Sequence, residues 1–157
     1  MSEVPVTTAV RFLRSHKVTF VPHLYDWEEH GGTKHSAQSL GVDEHQVIKT
    51  LVFENDQKKP LLVLMHGDRE VSTKNLARFL GCKTVQPCTP QNVTRYTGYQ
   101  VGGCSPFGTK QALVVYVEST ILALPKIFIN GGKRGFLVEI APDVLQVLDP
   151  TAISAAI

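Results

Sequence analysis

The sequence predicts a mixed α/β (α+β) domain, with a mixed central sheet wrapped by helices, and three observations carry that expectation. Short β-branched and aromatic runs alternate with amphipathic helical stretches along most of the chain. Glycine, proline and small polar clusters separate them. A length of 157 residues with 43% apolar content suits one domain, residues 1–157, whose core needs neither disulfides nor structural metal.

Each element follows from local pattern. Val6, Ala9, Val10 and Leu13 recur at helical spacing behind Pro5, predicting an amphipathic helix that ends near His16. Val18 to Trp27 is β-rich, and Pro22 marks it as an edge strand or a bulge. After the loop EEHGGTKH, Ser36 to Leu40 reads as a short helix stopped by Gly41. Val47 to Glu54 and Pro60 to His66 flank the polar turn NDQKK as a hairpin. Ser72 or Thr73 caps a helix closed by Gly81, and Thr89 or Pro90 opens another reaching about Tyr96. The stretch from Thr97 to Lys110 holds too many glycines for any regular element and is a shaped loop. Strands follow at Ala112 to Val117, Lys126 to Asn130 and Phe136 to Ile140, with GGKRG as the last turn and a helix starting at Pro142. Past Asp149 no element is predicted.

Charge and composition narrow the function classes. Sixteen Lys and Arg against 14 Asp and Glu leave a formal charge of +2, too little by itself to mark a nucleic-acid binder, so any basic surface must be local, and no DNA partner is expected. Three cysteines without CxxC spacing or a secretory leader read as reduced thiols of a cytoplasmic protein. No run approaches the roughly 18 uninterrupted apolar residues of a membrane span. The six histidines show no HExxH and no Cys/His pair has zinc-finger spacing, so no zinc site is expected.

Lys49 stands in VIKTLVF, where a buried strand should be apolar. Alternation puts Lys49 and Leu51 on one face, Ile48 and Thr50 on the other. Such a cation either covers the edge of a strand with its stem or faces a pocket and positions an anionic or ester-bearing ligand. Gly102 and Gly103 allow a close backbone approach, and successive N–H groups there could hold a carbonyl oxygen or an oxyanion; a plain structural turn is the competing reading. The spacing of Gly98, Gly102, Gly103 and Gly108 is not a dinucleotide fingerprint, and NGGKRG lacks the residues of a phosphate loop. Lys133 and Arg134 at that turn could pair with nucleic-acid phosphates. Cys104 has no assignable general base, and CSPFG around Ser105 is not a nucleophile elbow.

Taken in order, VIKTLVF, GYQVGGCSPFG and INGGKRGFLVEIAPDVL resemble the YbaK/EbsC proteins, relatives of the editing insertion of bacterial prolyl-tRNA synthetases, over nearly the whole chain. The resemblance implies that fold, a mixed sheet or partial barrel surrounded by helices. It also implies hydrolysis of the ester joining a wrong amino acid to the 3′ end of tRNA, in trans and without a cofactor. Cys-tRNA(Pro) is then the leading substrate, with alanyl, seryl, threonyl or non-protein aminoacyl esters as alternatives. A non-catalytic RNA- or synthetase-binding module is the rival from another class.

By the same resemblance Lys49 is the pocket lysine and Gly102 and Gly103 lie against the aminoacyl carbonyl. Tyr25 of the H-x-Y segment and Thr50 complete the match, with Ser105, Pro106, Asn130, Gly131 and Gly132 as motif residues beside the substrate. His66 at a strand end is a further candidate to line the pocket, a half-exposed surface role being the alternative. Lys110, Lys133 and Arg134 are expected to meet the acceptor end of the mischarged tRNA, and prolyl-tRNA synthetase is a possible partner. Phe136, Leu137 and Asn130 depart from the cysteinyl members, which often carry serine at the last of these, and the departures leave the amino acid open.

Overall fold

The computed structural model describes residues 4–157. Four α-helices, α1 (Thr8–Ser15), α2 (Gly32–Leu40), α3 (Thr73–Leu80) and α4 (Pro90–Thr97), surround eight strands. These are β1 (Val21–Leu24), β2 (Val47–Asn55), β3 (Pro60–His66), β4 (Val85–Pro87), β5 (Val114–Glu118), β6 (Ile127–Lys133), β7 (Phe136–Ile140) and β8 (Thr151–Ile153). They form one mixed sheet in the order β1-β7-β6-β2-β3-β5-β8, with β4 added to β2. The β2–β6, β3–β5 and β5–β8 pairs are parallel; the others are antiparallel.

Both faces of the sheet are covered. On one, Ile48, Val52, Leu62, Leu64, Ile129 and Phe136 pack with α1 and with Val93 and Tyr96 of α4 in the main core. The other face carries two separate clusters. Phe53, Leu61 and Val63 pack against Leu76 and Ala77 of α3, while Val47, Phe128 and Leu137 pack against Ala37 of α2. The sheet thus has a seam on this face, between the ground of α2 and that of α3.

Most predicted elements stand, with physically explicable shifts. Thr7, not Pro5, starts α1: its side chain accepts from the Val10 N–H and donates to the Gly131 carbonyl, tying the helix to β6. The second helix begins at Gly32, four residues before the expected start, so half of EEHGGTKH is helical. The stretch after Pro142 is a 3₁₀ turn to Leu148. Strands β4 and β8 were not predicted; each is three residues long, too short for alternation to register. Pro22 lies in β1, which pairs with β7 alone, as an edge strand must.

Candidate active site

Lys49 stands where β2 loses its neighbour. The edge of β2 is paired with β6 at Val47 and Ile48 and with β4 from Phe53 to Asn55, and the two partners diverge in between. Lys49 shares its face with Val47 and Leu51, so it rises at the seam between the α2 and α3 clusters. Its side chain is 17% exposed. The ammonium donates to the Arg69 carbonyl and pairs with Glu70 Oε1 at 3.5 Å.

Asn130 lies on β6 just past the end of the β2–β6 ladder, as Lys49 does on β2, and parity puts it on the same face. It accounts for the irregularity of β6. Its Oδ1 accepts from the N–H groups of Gly132 (2.6 Å) and Lys133 (3.1 Å), stabilising the bulge between Asn130 and Lys133, and its Nδ2 donates to the Gly102 carbonyl at 3.1 Å. A serine could not span those three bonds, so the amide at this position is what ties the glycine loop to the sheet.

The loop is held at both ends. Buried Tyr99 donates its hydroxyl to the Phe107 carbonyl, and Ser105 Oγ accepts the Phe107 N–H at 3.1 Å. Between them Gln100 to Gly103 make a turn closed by Gly103 N–H to the Gln100 carbonyl (2.9 Å), with Gly102 at φ +88°. Arg134 Nε donates to the Val101 carbonyl at 3.0 Å while its guanidinium lies 4.4 Å above the Trp27 ring. Gly103 packs directly on the Lys133–Arg134 backbone, leaving no room for a Cβ. Where the loop meets the β6–β7 hairpin, an open groove of about 330 Å³ is lined by Gly98, Gln100, Gly103, Gly132, Lys133 and Arg134.

Residues 29–148 match the family model described as the aminoacyl-tRNA editing domain. The chain belongs to that family. It is 32% identical to the Enterococcus faecalis protein named "Putative Cys-tRNA(Pro)/Cys-tRNA(Cys) deacylase EbsC", over 90% of this chain and 87% of that one. A proline–tRNA ligase of Limosilactobacillus fermentum matches at 27% identity over 64% of this chain but only 18% of its own length. Among solved structures, a "putative trans-editing enzyme for prolyl tRNA synthetase" superimposes with a TM-score of 0.82 at 25% identity, covering 98% of both chains. The mixed sheet with flanking helices is therefore the fold of an editing domain, and the chain is a member of a family of aminoacyl-tRNA deacylases.

Within this editing fold the predicted residues do not all meet. Lys49 and Asn130 share the seam face, and half-buried Tyr25 packs beside them against Val47, Phe128 and Leu137, its hydroxyl pushed up from its ordinary pKa by burial. Gly102 reaches this group through Asn130. Thr50, by contrast, faces the opposite side of β2, where its buried hydroxyl has no hydrogen-bond partner among the described residues. The expectation that both Gly102 and Gly103 offer free N–H groups needs correction, because Gly103 spends its own on Gln100. Ser105 is fully buried as the cap of Phe107, and Pro106 is buried beside it. Gly131 lies beneath the Phe136 ring, and Gly132 at φ +97° sits against Tyr99 and Thr7. Phe136 belongs to the main core on the far face; Leu137 alone of the two departures lies on the Lys49 side. Lys110, Lys133 and Arg134 are exposed.

His66 also departs from expectation, being 1% exposed and on the face opposite Lys49. Its ring stacks on His45 at 3.7 Å, Nδ1 donates to the His45 carbonyl and Nε2 bonds the Thr120 hydroxyl. Since a carbonyl can only accept, Nδ1 carries the proton and Nε2 is the acceptor of the neutral ring. His45, His66 and Asp68 bring possible metal-ligating atoms within 4.8 Å of one another, but His66's remaining lone pair is taken by Thr120, and the parallel rings do not converge.

Burial pushes the His66 pKa below its ordinary value. The unfolded chain therefore binds the extra proton first, and stability should fall as pH drops through that ordinary value, about 6.5. Thermal melts between about pH 7.5 and 5 should show this loss, with a shallower slope in His66→Gln.

Neither Cys88 nor Cys104 is an activated nucleophile. Burial pushes both Cys88 and Cys104 up to about 11, so neither is a thiolate at neutral pH. Sequence reasoning passed over His23 and Glu139, which pair at 2.9 Å across β1 and β7 on the Lys49 face, and Trp27 and Glu70. The H-x-Y segment held the signal for His23; nothing local marked Glu70, whose link to Lys49 exists only in the folded chain.

Proposed function

We propose that this protein is a trans-editing hydrolase that clears the aminoacyl ester of Cys-tRNA(Pro), acting in the cytoplasm as one editing domain. The observation that carries the reading is the Lys49 ammonium at the sheet seam, with Asn130 linking that seam to Gly102. The geometry supplies the Lys49 ammonium at the seam, Lys133 and Arg134 at the rim of the glycine loop, and no activated side-chain nucleophile among the described residues. That suits an ester, whose activated leaving group needs an oriented carbonyl and charge stabilisation more than a covalent relay.

In this reading Lys49 engages the ester or the terminal nucleotide, and the Gly102 N–H, which has no acceptor among the described residues, faces the developing oxyanion. The attacking group comes from the substrate or from water: the cysteinyl thiol or a water oxygen bonds to the carbonyl carbon, and the C–O bond to the tRNA ribose breaks with a proton passing to that oxygen. Tyr25 and Leu137 form the wall against which the amino-acid side chain is measured. Lys133, Arg134 and Lys110 hold the acceptor end, and docking on prolyl-tRNA synthetase is the natural way to meet this substrate.

A deacylation panel of tRNA(Pro) charged with cysteine, alanine, serine and threonine tests the specificity. Cysteine should be cleared fastest; preferential clearance of alanine or serine would move the assignment within the enzyme class. Arg134→Ala should weaken tRNA binding and lower the slope of log affinity against log salt by roughly 0.7 to 1, as loss of one phosphate contact predicts. Trp27, the single tryptophan, lies under that guanidinium, so its fluorescence reads the titration directly.

A further inference from the structure

We infer that Glu70 and the segment Ala155–Ile157 are positioning residues for Lys49, fixing its ammonium so that two of its three donors are occupied and the third faces the seam. The inference rests on the reading of Lys49 as the cation that meets the substrate. An ammonium has three N–H donors, and the Arg69 carbonyl and Glu70 Oε1 take two. The Glu70 side chain is 80% exposed, so the ion pair adds little to stability. What it does supply is direction.

Arg69 and Glu70 belong to neither helix nor strand, so a direction requires that something else hold their backbone. The far end of the chain does so. Glu70 N–H donates to the Ile157 carbonyl (3.3 Å), Ile157 N–H to the Glu70 carbonyl (2.9 Å) and Ser72 N–H to the Ala155 carbonyl (2.7 Å), around a bridge between Val71 and Ala156. That segment is fixed in turn by Glu118, a 3% exposed carboxylate whose Oε1 accepts from Ala155 N–H (2.7 Å) and Ala156 N–H (3.0 Å). No cation pairs with Glu118 among the described residues, and burying a carboxylate is costly. Its two charge-assisted bonds offset that cost and serve to pin the segment. On the other side Arg69 N–H donates to the His66 carbonyl (3.1 Å) and Asp68 pairs with His45 (2.8 Å), so both ends of the 68–72 bend are anchored.

The test reads Lys49 itself. In uniformly ¹⁵N-labelled protein the Lys49 ammonium should give a cross-peak resolved from those of freely rotating lysines, assigned by its loss in Lys49→Ala. It should collapse into the common pool in Glu70→Ala and on removal of residues 155–157, and persist in Glu70→Gln, which keeps the oxygen acceptor. Deacylation should fall about tenfold in the first two and stay within about twofold in Glu70→Gln. A wild-type cross-peak and wild-type rate in both Glu70→Ala and the shortened chain would overturn the inference. A peak that behaves as stated in a protein that clears no aminoacyl ester would uphold the positioning and sink the proposed function instead.

Discussion

Lys49→Ala should reduce kcat/KM for aminoacyl-tRNA hydrolysis by about a hundredfold or more while leaving the melting temperature nearly unchanged. The two halves of this expectation have separate causes. A cation aimed at an ester or a terminal phosphate in a partly desolvated seam stabilises charge in the transition state, and removing one such donor typically costs about 10²–10³ in rate. Removing the same cation leaves no buried charge behind, because its partner Glu70 is 80% exposed and is solvated when released. Steady-state deacylation with parallel thermal melts checks both. A variant with full activity would show that Lys49 is a surface lysine covering the edge of a strand.

Gly103→Ala should cost about 1–3 kcal/mol of stability and at least about tenfold in activity. A Cβ at this position would lie 2.8 Å from the Arg134 amide nitrogen and 3.0 Å from the Lys133 carbonyl carbon, both of them backbone atoms of the β6–β7 hairpin. Neither can yield without moving the hairpin, so the loop must lift and take Gly102 away from Asn130. Gly81→Ala is the control. Gly81 closes α3 at φ +73° with nothing within 4 Å of its would-be Cβ, so alanine there pays about 1 kcal/mol of backbone strain and leaves the site alone. Equal activity losses in the two variants would mean that the Gly103 contact has no special bearing on the site.

Why some of this was legible in the sequence and some was not follows from what each signal measures. Alternation in VIKTLVF placed Lys49 opposite Thr50 correctly, because strand parity is a local property. Ser72, Gly81 and Thr89 marked helix ends for the same reason: each cap satisfies groups within its own turn. The misplaced residues are those whose surroundings come from distant segments. His66 looks like a half-exposed strand end until His45 and Thr120 close over it. Ser105 sits in a motif, yet its hydroxyl serves Phe107 two residues on. Gly103 reads as a donor from its lack of a side chain, whereas its position beneath Arg134 shows that the missing side chain is needed for packing. Asn130 reads only as a motif residue in the sequence, and the folded loop shows the three bonds that its amide makes.

The wall proposed to measure the amino-acid side chain rests on burial. Leu137 on the seam face and Phe136 on the core face are adjacent in sequence but act in different places. Exchanges at Leu137 should therefore alter which amino acid is removed, whereas exchanges at Phe136 should act through stability, since its ring fills the space above Gly131.

The most direct measurement of the central claim is single-turnover hydrolysis of Cys-tRNA(Pro) by the wild-type protein and by Lys49→Ala, each against buffer alone. The account predicts that the wild type releases cysteine far faster than buffer and that Lys49→Ala approaches the buffer rate. Release at the buffer rate by the wild type, for cysteine and for every other aminoacyl group tried, would contradict it.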